Sequence, residues 1–350
     1  MKSTTPLYYS TYLQLERLLS CQQPESEKHG RPAHDEMLFI VVHQAYELWF
    51  KQILYELDAV INAFHADIVD ERQVHIAVHR LSRIAEIQKL LLAQIKVLET
   101  MTPLDFLEFR DLLYPASGFQ SYQFRLVENR MGVRPAHRHL YKPGQAYYAN
   151  LSPDHQRLVQ QSEREPSLFD VIEAWLERTP FLNFRGFDFV GEYERAVRRS
   201  GQELRVAETD LQALLDDQYY EALRRQNKRR LSRRAMIAAL FISLYRDEPI
   251  IHPPFQLLTA LIEMDELFTA WRYNHALMVL RMIGTKTGTG GSSGYDYLKG
   301  TLEPHRVFSD LLAISTYLIP RSELPALPEE LKKNLAFWYT INAAAEVPTQ

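Results

Sequence analysis

A histidine that closes an apolar helical stripe, with a glycine-rich loop starting within ten residues of it, is the feature of this chain best suited to chemistry. The stripe Met264, Leu267, Phe268, Trp271, Met278, Met282 recurs in steps of three and four, and His275 of Trp271-Arg272-Tyr273-Asn274-His275 falls on the same face, so its imidazole points inward. A buried imidazole needs a partner. On spacing alone two are open. One is a core hydrogen bond; the other is an iron bound through one ring nitrogen while the second donates to an acceptor, which leaves the opposite axial position for dioxygen. The loop ending Gly288-Thr289-Gly290-Gly291-Ser292-Ser293-Gly294 reads as a linker, a phosphate loop or a flap over a small molecule with Thr289 offering a hydroxyl. The phosphate reading lacks the Gly-x-x-x-x-Gly-Lys order and the preceding strand.

Other residues join these two. Phe39 and His43 are four apart and share a helix face, which suits either core packing or a cap over a flat apolar ligand with one hydrogen bond at its polar edge. Arg110, before the breaking loop Tyr114-Pro115-Ala116-Ser117-Gly118, can grip a carboxylate with two parallel bonds or pair with Asp111. His75 and His79 have the spacing of a metal pair but lack the glutamate of the zinc hydrolase motif, and read as surface residues. The basic run Arg224 to Arg234 carries no interleaved aromatics, so it reads as a solvated face joining two helices and not as a nucleic-acid patch.

The elements that must hold these residues are helices. In Glu36 to about His65, Tyr46, Trp49, Phe50, Ile53, Leu57, Val60, Ile61 and Phe64 keep the helical period; from Glu71 to Met101, Val78, Leu81, Ile84, Ile87, Leu91, Ile95 and Leu98 do the same, with Pro103 as the stop. Further helices are expected at 104–113, 119–130, 167–178 with a Ser167/Asp170 cap, 192–199, 210–226, 231–245, 255–283 after the break His252-Pro253-Pro254, 307–318 and 329–345. Strand patterns are nearly absent, so the fold class is all-α, a helical bundle read as one domain over residues 1–350. Forty Lys and Arg stand against 44 Asp and Glu, a net charge of −4, which favours neither nucleic acid nor an anionic membrane. The single cysteine, Cys21, excludes an intrachain disulfide and a cysteine-held metal cluster. No leader-like segment and no run of ~20 apolar residues is present, so a cytoplasmic location is expected.

Taken together, Tyr9-Ser10-Thr11-Tyr12, His34 to Ile40, His43 to Trp49, Phe109-Arg110-Asp111, Pro115 to Arg125, Trp271 to His275 and Gly288 to Gly294 resemble, in order and spacing, the tryptophan 2,3-dioxygenase family. The resemblance implies haem b, one per subunit, with His275 as its axial ligand and metal ligand and Ser117 near its edge. It also implies L-tryptophan and dioxygen as substrates. Both oxygen atoms would enter across the indole C2=C3 bond to give N-formylkynurenine, the first step of tryptophan degradation by the kynurenine route. His43 would be the catalytic distal histidine near the indole N–H, Phe39 a wall against the ring, Arg110 the grip on the carboxylate and Thr289 a contact to the amino-acid end. Phe106 matches a position that is tyrosine in some members. Tyr9 and Tyr12, in an arm of residues 1–20, would reach a neighbouring subunit of a homotetramer, and residues 284–294 would form a mobile active-site loop. Some members carry arginine where this chain has Asn274, which changes the charge beside the axial histidine. Two rival readings are a relative that monooxygenates an indole or phenol and a helical haem sensor without turnover.

Overall fold

The periodic segments fold as helices because each can bury one stripe only against another. The computed structural model describes residues 6–138, 146–200, 206–286 and 294–335, and among these the fold is all-α apart from one small hairpin. Three long helices, Glu36–Phe64, Glu71–Leu98 and His252–Ile283, form the frame, with the second packed along both others. The expected stripes include the most buried residues: Ile53, Leu57, Leu81, Ile84 and Met264 are all sealed from solvent, and Leu257 and Leu261 extend the third stripe toward the helix start. Two buried polar ties fix their register. Tyr46 Oη donates to the Leu91 carbonyl at 2.6 Å and Gln88 Nε2 to the Met264 carbonyl at 3.1 Å.

A second set covers the frame. Tyr122–Met131 packs on Glu36–Phe64, Pro153–Ser162 packs on Tyr122–Met131, and Leu168–Glu177 packs on Arg233–Leu244. Arg233–Leu244 is buried on nearly every side from Ala235 to Ile242, as befits a helix at the centre of a core. The hairpin pairs Asn183–Phe184 with Phe187–Asp188. Its two-residue turn puts Arg185 at φ 43° and Gly186 at φ 90°, the left-handed conformation that matches strand twist and suits glycine.

The structure departs from the sequence reading at element ends. The second long helix stops at Leu98, not Met101, and Pro103 opens the next helix, Pro103–Phe109, under a Thr102/Asp105 capping box, followed by the 3-10 turn Arg110–Leu113. His252-Pro253-Pro254 is not a break before the helix but its first turn, where the missing N–H groups have no acceptor to lose. The segment expected as one helix over 210–226 is two, Glu208–Leu215 and Asp217–Arg225, because the Asp216 carboxylate accepts from the Gln218 and Tyr219 N–H groups and starts a new one. Helix Ser309–Ala313 and the 3-10 turn Ile314–Tyr317 replace the single helix expected over 307–318. At the far end Glu329–Leu335 is helical and the remainder of 329–345 lies outside the described residues.

The basic run is a solvated face only in part: Arg225, Lys228 and Arg234 are exposed, whereas other members are tied into the fold. Arg230 donates to the carbonyls of Arg306 (3.0 Å) and Gly132 (2.6 Å) and lies over the Phe169 ring at 4.5 Å, while Arg233 donates to the Leu214 carbonyl and Arg229 to the Tyr317 hydroxyl. These guanidinium groups tie loops to helix ends, a role that composition does not reveal.

Candidate functional site

One wall of the site rises from the Glu36–Phe64 helix. The rings of Phe39 and His43, one turn apart, are 4.0 Å between centroids, and Phe39 also meets Phe106 at 5.7 Å and Phe109 at 5.6 Å. His43 Nδ1 lies 2.7 Å from the Phe39 carbonyl. A carbonyl only accepts, so Nδ1 carries the proton and, in the neutral ring, Nε2 is left as an acceptor. Burial lowers the His43 pKa, with the Phe39 bond and Glu47 opposing. Phe109 is fully buried and anchors the end of its short helix. Arg110 follows at that helix end and is half-buried.

The other wall belongs to the His252–Ile283 helix. Trp271 stacks on His275 at 5.1 Å with 12° between planes, and its indole is caged by Phe124 (5.2 Å), Tyr46 (6.1 Å) and Phe50 (6.5 Å). Tyr46 is one turn beyond His43 and Trp271 one turn before His275, so this contact ties the two histidine-bearing turns together. Burial pushes the His275 pKa down to about 4, and the charges of His43 and Arg272 push the same way. Yet His43 is exposed and His275 only half-buried. Both rings thus keep an accessible edge beside aromatic side chains.

Behind His275 sits a buried charge cluster. Glu128, 1% exposed, meets Arg125 at 2.9 Å, Arg138 at 2.5 Å, Arg272 at 2.9 Å and His305 Nδ1 at 3.0 Å. These guanidinium groups hold its carboxyl well below the usual carboxylate range against the cost of burial. Burial lowers the His305 pKa to about 4 despite the carboxylate beside it, so the ring is neutral. Among the described residues three cations face one anion here, and the Nε atoms of Arg125 and Arg138 are buried with no acceptor. Such a surplus suits a further anion nearby.

The structure therefore brings Phe39, His43, Phe106 and Arg110 together on one side and sets His275 on the other. Ser117 is half-buried and its hydroxyl accepts from the Phe119 N–H at 3.3 Å as the cap of a 3-10 turn, Gly118–Gln120. Thr289 and the rest of 287–293 lie outside the described residues. Tyr9 and Tyr12 are 74% and 69% exposed on one short helix, Tyr9–Leu13, that buries nothing. His75 and His79 are on the surface, as expected. Sequence reasoning missed Glu128, Arg125, Arg138 and His305; the only signals were the i, i+3 spacing of Arg125 and Glu128 and the presence of Arg272 within the histidine motif. A cavity of about 320 Å³, lined by Val69, Trp175 and Arg178 among others, contains none of the expected site residues.

The sequence profile described as tryptophan 2,3-dioxygenase matches residues 1–210 and 197–318. A tryptophan 2,3-dioxygenase of Bdellovibrio bacteriovorus is 46% identical over 95% of this chain and 99% of its own length. Those of Xenopus laevis and Mus musculus are 49% and 47% identical, each over 95% of this chain and 87% of the relative.

Proposed function

The chain belongs to the tryptophan 2,3-dioxygenase family, and we propose that Phe39, His43, Phe106, Arg110, Ser117, Thr289 and His275 carry that reaction here. It is an oxidoreductase that adds both atoms of dioxygen across the indole C2=C3 bond of L-tryptophan to form N-formylkynurenine. The residues fit a haem b, one per subunit. His275 would hold its iron, because its neutral imidazole keeps an accessible edge, and the cation surplus around Glu128 suits a group that bears two propionates. Haem, when bound, supplies the activation of dioxygen.

The protein's part is orientation and electrostatics. Arg110 holds the substrate carboxylate through its planar fork, and Thr289 adds a hydroxyl bond at the amino-acid end. Phe39 and Phe106 wall the indole; Phe106 contributes no hydroxyl, so the carboxylate depends more on Arg110. His43 Nε2, left as an acceptor by the Nδ1 bond to Phe39, receives the indole N–H. An indole N–H is a very weak acid, so His43 orients the ring and does not need to remove the proton. Holding both ends of the substrate makes the attack effectively intramolecular, an effect that can reach several kcal/mol.

The observation that carries this reading is a pair of accessible histidines on two of the long helices, linked through the Tyr46–Trp271 ring contact, with His43 Nε2 left as an acceptor. A visible spectrum of the reduced protein, with and without L-tryptophan and dioxygen, tests it together with His275→Ala. The wild type is expected to show a haem Soret band that shifts with substrate, and His275→Ala to lose most haem or shift the band. Normal haem content and spectrum in His275→Ala refutes the assignment. Labelled dioxygen separates the rival monooxygenase, which would place one labelled atom in the product and not two. Two further parts of the reading are a homotetramer, in which Tyr9 and Tyr12 reach a neighbouring site, and a cytoplasmic location. They are supported by the exposed apolar arm, and by the finding that no described helix is long and apolar enough to cross a membrane.

A further inference from the structure

We propose that Glu128 is a positioning residue for His275, acting through Arg272 to fix the turn that carries the imidazole and to balance the positive charge beside it. Arg272 lies three residues before His275, on the same side of the helix within one turn. Its guanidinium reaches Glu128 Oε1 at 2.9 Å and stands 5.3 Å from the Phe124 ring centroid. Phe124 in turn packs on Trp271, the residue stacked on His275. Glu128 therefore holds the histidine's turn from one side while the aromatic cage holds it from the other.

The same carboxylate gathers chain from four places. Arg125 is on its own helix, Arg138 closes the turn Pro135–His137, Arg272 is on the His275 helix, and His305 follows the helix Gly294–Gly300. Arg138 is pinned further by Asn129 at 2.5 Å and by the Tyr147 ring at 3.8 Å, and Asn129 by Ser162 at 2.7 Å. A hub so constrained permits little play in Arg272. Its electrostatic effect is separate from its mechanical one. The positive charge of Arg272 already acts on His275, and Glu128 is the only carboxylate recorded within salt-bridge distance of it among the described residues. Removing that anion exposes His275, and any iron it holds, to uncompensated cations in a poorly hydrated interior.

The proposal rests on His275 being the axial ligand, and the test keeps the two ideas apart. Glu128→Gln keeps the shape and removes the charge. In the haem-loaded protein it is expected to retain haem and an unchanged KM for L-tryptophan. The ferrous-to-ferric ratio at a fixed poise should rise at least about threefold, since positive charge favours the reduced state, and the iron–histidine band in the resonance Raman spectrum should move. Adding Arg272→Gln to that variant should return the ratio toward wild type, whereas adding Arg138→Gln should restore thermal stability only. If Glu128→Gln does not fold, Arg272→Gln alone serves: it removes one cation beside His275 and should move the ratio the opposite way. An unchanged ratio and an unchanged iron–histidine band in a folded variant overturn the proposal, as does equal rescue by Arg138→Gln. A wild type that takes up no haem refutes the functional reading instead.

Discussion

Replacing Arg110 by lysine keeps the positive charge and removes the planar fork, so it isolates what geometry contributes to recognition of the amino-acid end. Arg110 follows fully buried Phe109 at the end of its short helix and is itself half-buried. At such a position water compensates a lost partner only in part. Truncating one side of a desolvated charge pair costs about 2 to 5 kcal/mol, which is roughly 30- to 4,000-fold in kcat/KM. Arg110→Lys is expected at the low end of that range and Arg110→Leu at the high end, with haem content and thermal midpoint near wild type. Product formation from L-tryptophan and from tryptamine, which lacks the carboxylate, supplies the assay. Tryptamine should be a poor substrate of the native protein and should lose little more when Arg110 is changed. The reasoning fails if the native protein turns over tryptamine as well as tryptophan, or if Arg110→Lys is fully active.

The other expectations concern the distal histidine, acid stability and the arm. His43→Ala should retain haem and part of its turnover, and 1-methyltryptophan should improve relative to tryptophan in that variant; complete inactivity with intact tryptophan binding would mean an essential acid–base role. His305 has a folded pKa of about 4 against an ordinary 6.5, so between those values the unfolded chain binds more protons. Stability is then full above pH 6.5 and falls on acidification, by about 2 kcal/mol between pH 6.5 and 5 for this one ring. Urea midpoints should show a shallower acid slope for His305→Gln than for wild type, and equal slopes count against the neutral ring. Removing residues 1–20 should leave the described core folded, because neither Tyr9–Leu13 nor Leu15–Leu19 buries a residue, while raising KM for tryptophan and reducing the assembly seen by light scattering. An unchanged KM separates the arm from the site.

Periodicity alone determined the frame. Steps of three and four along 36–64, 71–98 and 252–283 leave one way to bury Ile53, Leu57, Leu81, Ile84 and Met264, and the all-α class follows. Composition likewise limited the chemistry, since one exposed cysteine cannot hold a metal cluster. Single residues were harder. Phe39, His43, Arg110 and His275 each allowed a bland reading, and only motifs in family order made them a set.

What tertiary structure decided is which charges meet and which ends close. The break at Asp216 depends on a carboxylate turning back to two N–H groups, and the two prolines at 253 and 254 fit a first turn as readily as a break; local sequence admits either outcome. Glu128, Arg138, Arg272 and His305 are up to 177 residues apart in the chain, and no spacing rule links them. Their meeting follows from helix packing, which buries the carboxylate and leaves the guanidinium groups and the His305 N–H to compensate it. The basic run shows the same limit, because whether Arg230 faces water or the Phe169 ring depends on elements far away in sequence. Hydrophobic pattern is a local property written residue by residue, whereas the partner of a buried charge is fixed only when distant segments come together.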